Sequence, residues 1–174
     1  MLICSSLVYA GDVTLYKSTY ADDDRTRWTG WSEKPWNIEY FADGCEGRPA
    51  LKYTVSDGWN VPILNFSTPV KVNKNTVIRF KIKCNAGRYG LNIRDKTEGS
   101  EYYLGFAISE PNKWVTIQKY ICKATYKRFG KDGVVKDGLV GDELEAIHIA
   151  TSGNKVWVGD YEIVNVSELV KEIP

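Results

Sequence analysis

The histidine and two closely spaced carboxylates are the residues of this chain that could support acid–base chemistry. His148 is the sole histidine and lies at an outward position of the alternating stretch Ala146-Ile-His-Ile-Ala150. Glu143 and Glu145 are two residues apart, so a strand would place both on one face, and glycoside hydrolysis needs two carboxyl groups about 5–10 Å apart. However, the chain has neither a Gly-x-Ser-x-Gly elbow nor the Glu-x-Asp-x-Glu pattern of sandwich glycosidases. We therefore predict a protein that binds a ligand and is not an enzyme.

The cysteines do not have the spacing of a metal site. Cys4, Cys45, Cys84 and Cys122 form no C-x-x-C pair, which argues against zinc. If the chain were cleaved after Ala10, three cysteines would remain and at most one disulfide could form within the chain. The sequence leaves open whether any of those three pair, and we expect at least one to be a buried free thiol.

Composition excludes two classes of partner. The 174 residues carry a net charge of +1 with scattered Lys and Arg, so we predict no nucleic-acid partner. No apolar run is long enough to span a membrane.

Aromatic residues make up 13% of the chain, with six Trp and eleven Tyr. Such residues fill a core or form flat platforms for ligands.

The first ten residues allow two interpretations. Residues 1–10 are either the tail of a signal peptide, with Val8-Tyr9-Ala10 at its cleavage site, or a first strand. Together with the composition, the first interpretation predicts a secreted or cell-surface protein. Residues 11–174 show no linker or internal repeat, and we expect them to form one domain.

Period-two alternation dominates the chain. In Thr76–Cys84, apolar residues and cysteine alternate with Arg79, Lys81 and Lys83, which is typical of a half-buried strand. In Arg88–Asp95, Asn92 and Arg94 should point outward. The other predicted strands are Val13–Lys17, Asn37–Phe41, Ala50–Val55, Val61–Phe66, Glu101–Ile108, Trp114–Ile121, Glu145–Ala150 and Lys155–Val164.

These roughly ten short strands, separated by turn signals, predict an all-β fold, a two-sheet antiparallel β-sandwich of jelly-roll type. Tyr126–Gly141 is rich in Gly, Lys and Asp and reads as a long loop. Ser167–Glu172 would form a last helical turn or a terminal strand.

The order of several blocks resembles the jelly-roll carbohydrate-binding modules, galactose-binding-domain-like sandwiches attached to bacterial glycoside hydrolases. The blocks are Thr14-Leu-Tyr, Arg27-Trp-Thr-Gly-Trp-Ser32, Gly47-Arg-Pro-Ala-Leu-Lys-Tyr-Thr-Val55, Gly58-Trp59, Ile78-Arg-Phe-Lys-Ile-Lys, Leu91-Asn-Ile-Arg-Asp, Asn112-Lys-Trp-Val-Thr-Ile117 and Val156-Trp-Val-Gly-Asp-Tyr-Glu-Ile163. The resemblance implies a jelly roll that binds a poly- or oligosaccharide without cleaving it.

Sugar binding needs flat apolar faces and polar groups that bond hydroxyls. Trp28, Trp31, Trp36 and Trp59 lie in or near predicted loops, and Trp31 and Trp59 are the candidate stacking planes. Asn92, Arg94 and His148 are the candidate polar contacts. If their strands are neighbours, the site lies on the outward face of one sheet, and Arg94 would bond vicinal hydroxyls or a uronate carboxylate.

The resemblance also implies a structural calcium ion between the N-terminal region and the last strand. Asp22, Asp24 and Asp160 are its candidate ligands. Gly159 stands where many members of the family have the first of two Asp residues, so this end departs from the pattern. A solvated acidic turn is the alternative interpretation of Asp22-Asp23-Asp24.

A second function fits the same sandwich. An extracellular structural or adhesive protein could assemble into a homo-oligomer or filament, with calcium at subunit contacts and aromatic residues as interface anchors. The sequence does not separate this alternative from carbohydrate binding.

Overall fold

The computed structural model of the chain describes residues 11–30, 36–55, 61–85, 89–108, 110–131, 137–151 and 155–168, with Val170 and Ile173. Its strands are β1 Val13–Lys17, β2 Trp28–Gly30, β3 Trp36–Cys45, β4 Arg48–Val55, β5 Pro62–Lys71, β6 Thr76–Cys84, β7 Tyr89–Asp95, β8 Ser100–Gly105, β9 Val115–Tyr120, β10 Thr125–Phe129, β11 Glu143–Thr151 and β12 Lys155–Asn165. Helix is confined, in this part of the chain, to α1 Asp22–Arg25 and a 3-10 turn at Ile121–Lys123.

The strands form two antiparallel sheets. Sheet A has the order β3-β4-β12-β6-β9, and β1 also pairs with β12. Sheet B has the order β10-β8-β7-β11-β5-β2. The predicted all-β jelly-roll sandwich is therefore confirmed.

The alternation seen in the sequence sets the inner and outer faces of both sheets. In β6, Ile78, Phe80 and Ile82 are buried in the core between the sheets. In β7, Leu91 and Ile93 are fully buried in the same core, and the intervening Asn92 and Arg94 point away from it, as predicted.

A bulge in β12 reverses its alternation. Up to Gly159 the strand pairs with β4, and from Glu162 onward it pairs with β1, while β6 lies along its other side. The register shifts between Gly159 and Glu162, where Asp160 has a positive φ of 49°. The inserted residue turns Tyr161 into the core although Val156 and Val158 already point there.

Tyr161 is the centre of an aromatic cluster that joins the two sheets. It is fully buried and meets Trp28 of sheet B edge-on at 5.5 Å between ring centroids. Phe80 and Tyr16 of sheet A pack against it at 5.6 and 6.2 Å. The contacts of Tyr161 with Trp28 and Tyr16 are edge-to-face, and such contacts add to the free energy gained by burying the rings.

Two strands were missed by the sequence analysis. β10 occupies part of the segment Tyr126–Gly141 that was predicted to be a loop, and it pairs with β8 at the edge of sheet B. All five of its residues are exposed, so it carries no alternation of burial that a sequence could show. β2 was also missed, and Trp28 within it is a core residue with 3% exposure, not a platform in a loop.

The three described cysteines are free thiols. Cys45 and Cys84 are buried, as expected for at least one of the thiols, and burial raises the pKa of Cys45 to about 11. Cys4 lies outside the described residues. Within the described residues, no helix has the length and apolar character that a membrane span requires.

The Asp24 carboxylate organises the turn between β1 and β2. It is 4% exposed and accepts hydrogen bonds from the Tyr16 hydroxyl, the Ser18 hydroxyl and the Tyr20 backbone N–H, at 2.5, 2.5 and 2.8 Å. Burial and the hydrogen bond to Asp24 raise the pKa of Tyr16 well above its usual value, so Tyr16 remains a donor.

Replacing Asp24 should destabilise the fold. In Asp24→Asn an amide N–H₂ replaces one acceptor oxygen and faces donors, so we expect a loss of about 2–3 kcal/mol in the free energy of unfolding measured in urea. Asp43→Asn is the matched control, because Asp43 is exposed on β3, and it should change stability by less than about 0.5 kcal/mol. Equal stability of the two variants would contradict this role of Asp24.

Candidate functional site

The outward side of sheet B brings together the polar side chains of five strands. We call it the sheet-B face and define it by two cross-strand rows. One row runs Tyr103, Asn92, His148 and Ile63 across β8, β7, β11 and β5. The other row runs Arg128, Glu101, Arg94, Ala146 and Asn65 across β10, β8, β7, β11 and β5.

Tyr103 lies against the sheet as a flat platform. Its hydroxyl donates to the backbone oxygen of Tyr89 at 2.9 Å, and the residue is 40% exposed. The ring occupies the space above Gly90, where an added Cβ would come within 2.6 Å of its Cζ atom and hydroxyl oxygen. A Cβ at Gly105 would stand at an ordinary 3.5 Å from the same ring. Gly90 therefore allows the ring to lie on the sheet with one side open to solvent.

The predicted polar residues flank this platform. Asn92 is directly opposite Tyr103, and His148 is directly opposite Asn92 because β7 and β11 are neighbours, the condition on which the predicted site depended. Arg94 lies two residues along β7 on the same face, with a half-exposed side chain. Its Nε contacts the Glu145 carboxylate at 3.3 Å, which leaves both Nη groups without a partner among the described residues.

Two cations of β10 hold a buried carboxylate on this face. The Glu101 side chain is 3% exposed and lies 2.9 Å from Nε of Arg128 and 3.3 Å from Nζ of Lys127. Lys127 also donates to Oδ1 of Asn92 at 2.9 Å. Burial alone would raise the pKa of Glu101, but Arg128 and Lys127 outweigh it and lower that pKa, so the carboxylate is charged.

His148 is neutral at physiological pH. Burial lowers its pKa to about 4, and Arg94, Lys127 and Arg128 act in the same direction, while Glu101 opposes them. A neutral imidazole offers one donor and one acceptor, which suits a hydroxyl group.

The predicted stacking planes are not among these residues. Trp31 and Trp59 lie outside the described residues, so their role as platforms remains a prediction. Trp36 is 42% exposed and stacks on Tyr53, and Trp157 points outward from sheet A against Phe41. The sequence analysis missed Tyr103. The pair Tyr102-Tyr103 signals one inward and one outward ring, but only the register shows that Gly90 lies beneath the outward one.

Two of the three predicted calcium ligands, Asp24 and Asp160, contact other groups of the protein. Asp24 accepts the three hydrogen bonds described above, and Asp160 lies 2.6 Å from the Arg48 guanidinium. The side chain of Asp22 lies outside what the structure describes. An added Cβ at Gly159 would come within 2.6 Å of the Cys45 Cβ, so a residue larger than glycine does not fit at this position. Calcium binding by Asp22, Asp24 and Asp160 remains a prediction.

A group of carboxylates that was not predicted meets at the turn between β7 and β8. Oxygens of Asp95, Glu98 and Asp142 lie within 4.8 Å of one another. Asp95 accepts from the backbone N–H groups of Thr97 and Glu98, and Glu98 accepts from the Tyr102 hydroxyl. Burial has the largest effect on Asp142, and the nearby charges of Asp95 and Glu98 act in the same direction. Together they raise the pKa of Asp142 to about 6. The turn hydrogen bonds account for the position of Asp95.

Comparisons by sequence identify no relative. No family model matches the chain, and no curated protein matches it.

Solved structures do match the fold. The family 11 carbohydrate-binding module of the cellulosomal cellulase Lic26A-Cel5E of Clostridium thermocellum has a TM-score of 0.63 at 13% identity, over 94% of this chain and 99% of that one. A family 11 module from the same organism in complex with a β-1,3-1,4-mixed-linked tetrasaccharide gives 0.62 at 12% identity, over 92% and 99%. The CBM22-1 xylan-binding domain of Paenibacillus barcinonensis Xyn10C gives 0.53 at 17% identity, over 91% and 100%. The chain therefore has the jelly-roll β-sandwich fold of these carbohydrate-binding modules.

Proposed function

We propose that this protein binds a poly- or oligosaccharide on the sheet-B face and does not cleave it. The observation that carries the proposal is the Tyr103 ring, which lies flat on Gly90 beside the hydrogen-bonding groups of Asn92 and His148. A pyranose presents an apolar face to an aromatic ring and hydroxyls around its rim, so one platform with polar neighbours satisfies both requirements.

Several polar groups of the face keep hydrogen-bonding capacity that the described residues do not use. His148 makes no hydrogen bond with the described residues, and the amide oxygen of Asn92 is already used by Lys127, which leaves its N–H₂ group as a donor. Arg94 adds its two Nη groups on the same face. An open platform of this kind should bind with a dissociation constant in the micromolar to millimolar range, roughly 4–8 kcal/mol.

The electrostatics of the face support binding without catalysis. A glycosidase needs a carboxylic acid whose pKa is raised so that it can protonate the leaving group. Glu101 has a lowered pKa and is held by two cations, and Glu145 is paired with Arg94. Neither carboxylate of the face is therefore suited to act as the acid.

The comparisons support the same proposal. The module with the bound tetrasaccharide and the xylan-binding domain share this fold. A protein that binds polysaccharide would act where polysaccharides are, which agrees with the predicted secreted or cell-surface location.

Removing the platform should weaken binding. A glycan array should be followed by calorimetry on its best neutral hit. Tyr103→Ala should bind this glycan at least tenfold more weakly, because truncating an aromatic side chain at the centre of a binding site costs about 1–3 kcal/mol or more in binding free energy. Gly90→Ala should weaken binding as strongly, because its methyl group displaces the ring.

Gly105→Ala is the matched control for the glycine substitution. Its methyl group meets the ring at an ordinary contact distance, so affinity should stay within about twofold of the native protein. Native affinity in both Tyr103→Ala and Gly90→Ala would rule out the sheet-B face as the binding site.

The neutral imidazole also predicts how stability depends on pH. The pKa of His148 is about 4 in the folded protein and about 6.5 in an unfolded chain, so the unfolded chain gains a proton first as the pH falls. The free energy of unfolding should therefore decrease between pH 6.5 and 4. Urea titrations at pH 7.5, 5.5 and 4.5 should show this decrease to be smaller in His148→Gln, and an identical decrease in both proteins would contradict the pKa shift.

A further inference from the structure

Charge on the sheet-B face is unevenly distributed. Lys127, Arg128 and Arg94 supply three cations, and Glu101 and Glu145 supply two carboxylates. His148 is neutral and adds no charge. The charges of Arg94 and Glu145 cancel each other. The excess positive charge therefore lies where Lys127 and Arg128 share the single carboxylate of Glu101.

Of these two cations, Arg128 is the one whose geometry is fixed by Glu101. Its Nε and Nη2 atoms lie 2.9 and 3.5 Å from the two oxygens of that carboxylate. This two-point contact matches the fork of the guanidinium, whereas Lys127 makes a longer single contact of 3.3 Å. The Glu101 charge is therefore matched mainly by Arg128, and Lys127 keeps charge to offer a ligand.

The ammonium group of Lys127 lies over the Tyr103 ring at the outer limit of a cation–π contact. It is 6.0 Å from the centre of the Tyr103 ring and 2.9 Å from Oδ1 of Asn92. An ammonium group has three N–H donors. Asn92 and Glu101 take two of them, and apart from the face of the Tyr103 ring the described residues supply no acceptor for the third. The Lys127 side chain is 37% exposed, so a ligand on the ring can reach this donor.

These positions define what a stacked sugar would present to the cation. A pyranose that stacks on the Tyr103 ring would bring its substituents close to this ammonium group, because the group lies 6.0 Å from the centre of the ring. A hydroxymethyl oxygen there would accept a hydrogen bond from the ammonium group but would bring no charge of its own. A negatively charged substituent would accept the same bond and would also attract the ammonium group as an ion pair.

We propose that the sheet-B face binds an acidic glycan, with Lys127 contacting an anionic group on the pyranose that stacks on Tyr103. This inference rests on the proposed function, since it assigns the class of sugar bound at the same platform. A uronate carboxylate and a sulfate ester share the relevant chemistry, and the experiment separates these two sources.

The first experiment compares matched glycans. An array should carry neutral, uronate and sulfated forms of gluco-, galacto- and manno-configured oligosaccharides, and calorimetry at 50 mM NaCl should follow on the best acidic hit and its neutral counterpart. We expect the acidic form to bind about tenfold more tightly and its advantage to shrink at 500 mM NaCl, because salt screens exposed charges. Preference for uronates or for sulfate esters identifies the source of the anion.

The second experiment tests the residue. Lys127→Gln should weaken binding of the acidic glycan about tenfold more than binding of its neutral counterpart, while Lys127→Arg should retain most of the preference. Arg128 keeps Glu101 paired in these variants, so the face should stay folded. Lys74→Gln removes the same charge from an exposed turn and should change neither affinity.

The outcomes separate this inference from the proposed function. Neutral glycans that bind as tightly as their acidic counterparts, or a Lys127→Gln variant that weakens both equally, would overturn the acidic-glycan inference and leave carbohydrate binding in place. Absence of any glycan bound on the array would overturn both.

Discussion

The reversal of alternation in β12 is the constraint on which the rest of the sandwich depends. β12 is a central strand of sheet A, flanked by β6 on one side and by β4 and then β1 on the other. Without the extra residue at Asp160, Tyr161 would point to solvent, and the aromatic cluster that it forms with Trp28 and Phe80 would not exist. That cluster crosses from one sheet to the other, so it fixes how the sheets face each other and which side of sheet B is left open.

The outward side of sheet B can carry the Tyr103 ring because Gly90 has no side chain. Gly90 leaves a flat area on which the Tyr103 ring rests, and the hydroxyl of that ring is tied to the backbone of Tyr89. The ring therefore loses little conformational freedom when a ligand arrives, which lowers the entropic cost of binding. The polar groups of Asn92 and His148 stand on regular strands beside it, so their positions are set by the sheet.

The charged residues of the sheet-B face also affect which ligands it could bind. A carboxylate with almost no exposure, Glu101, holds Arg128 in place and shares Lys127 with the amide of Asn92. The same cations, together with burial, keep His148 neutral. Hydrogen-bonding groups and residual positive charge thus lie side by side, and the proposed binding of an acidic glycan depends on this arrangement.

The sequence by itself determined the fold class and most of the strands, because alternation such as that of Thr76–Cys84 follows directly from a sheet with one buried face. It also assigned Asn92, Arg94 and His148 to outward positions. Tertiary structure alone decided that these residues meet, since strand order and register arise from contacts between distant segments. It also placed Trp28 in the core, tied Asp24 into hydrogen bonds, and set Tyr103 on Gly90. β10 shows the limit most clearly, because an edge strand with every residue exposed is defined by its partner strand and by nothing periodic in its own residues.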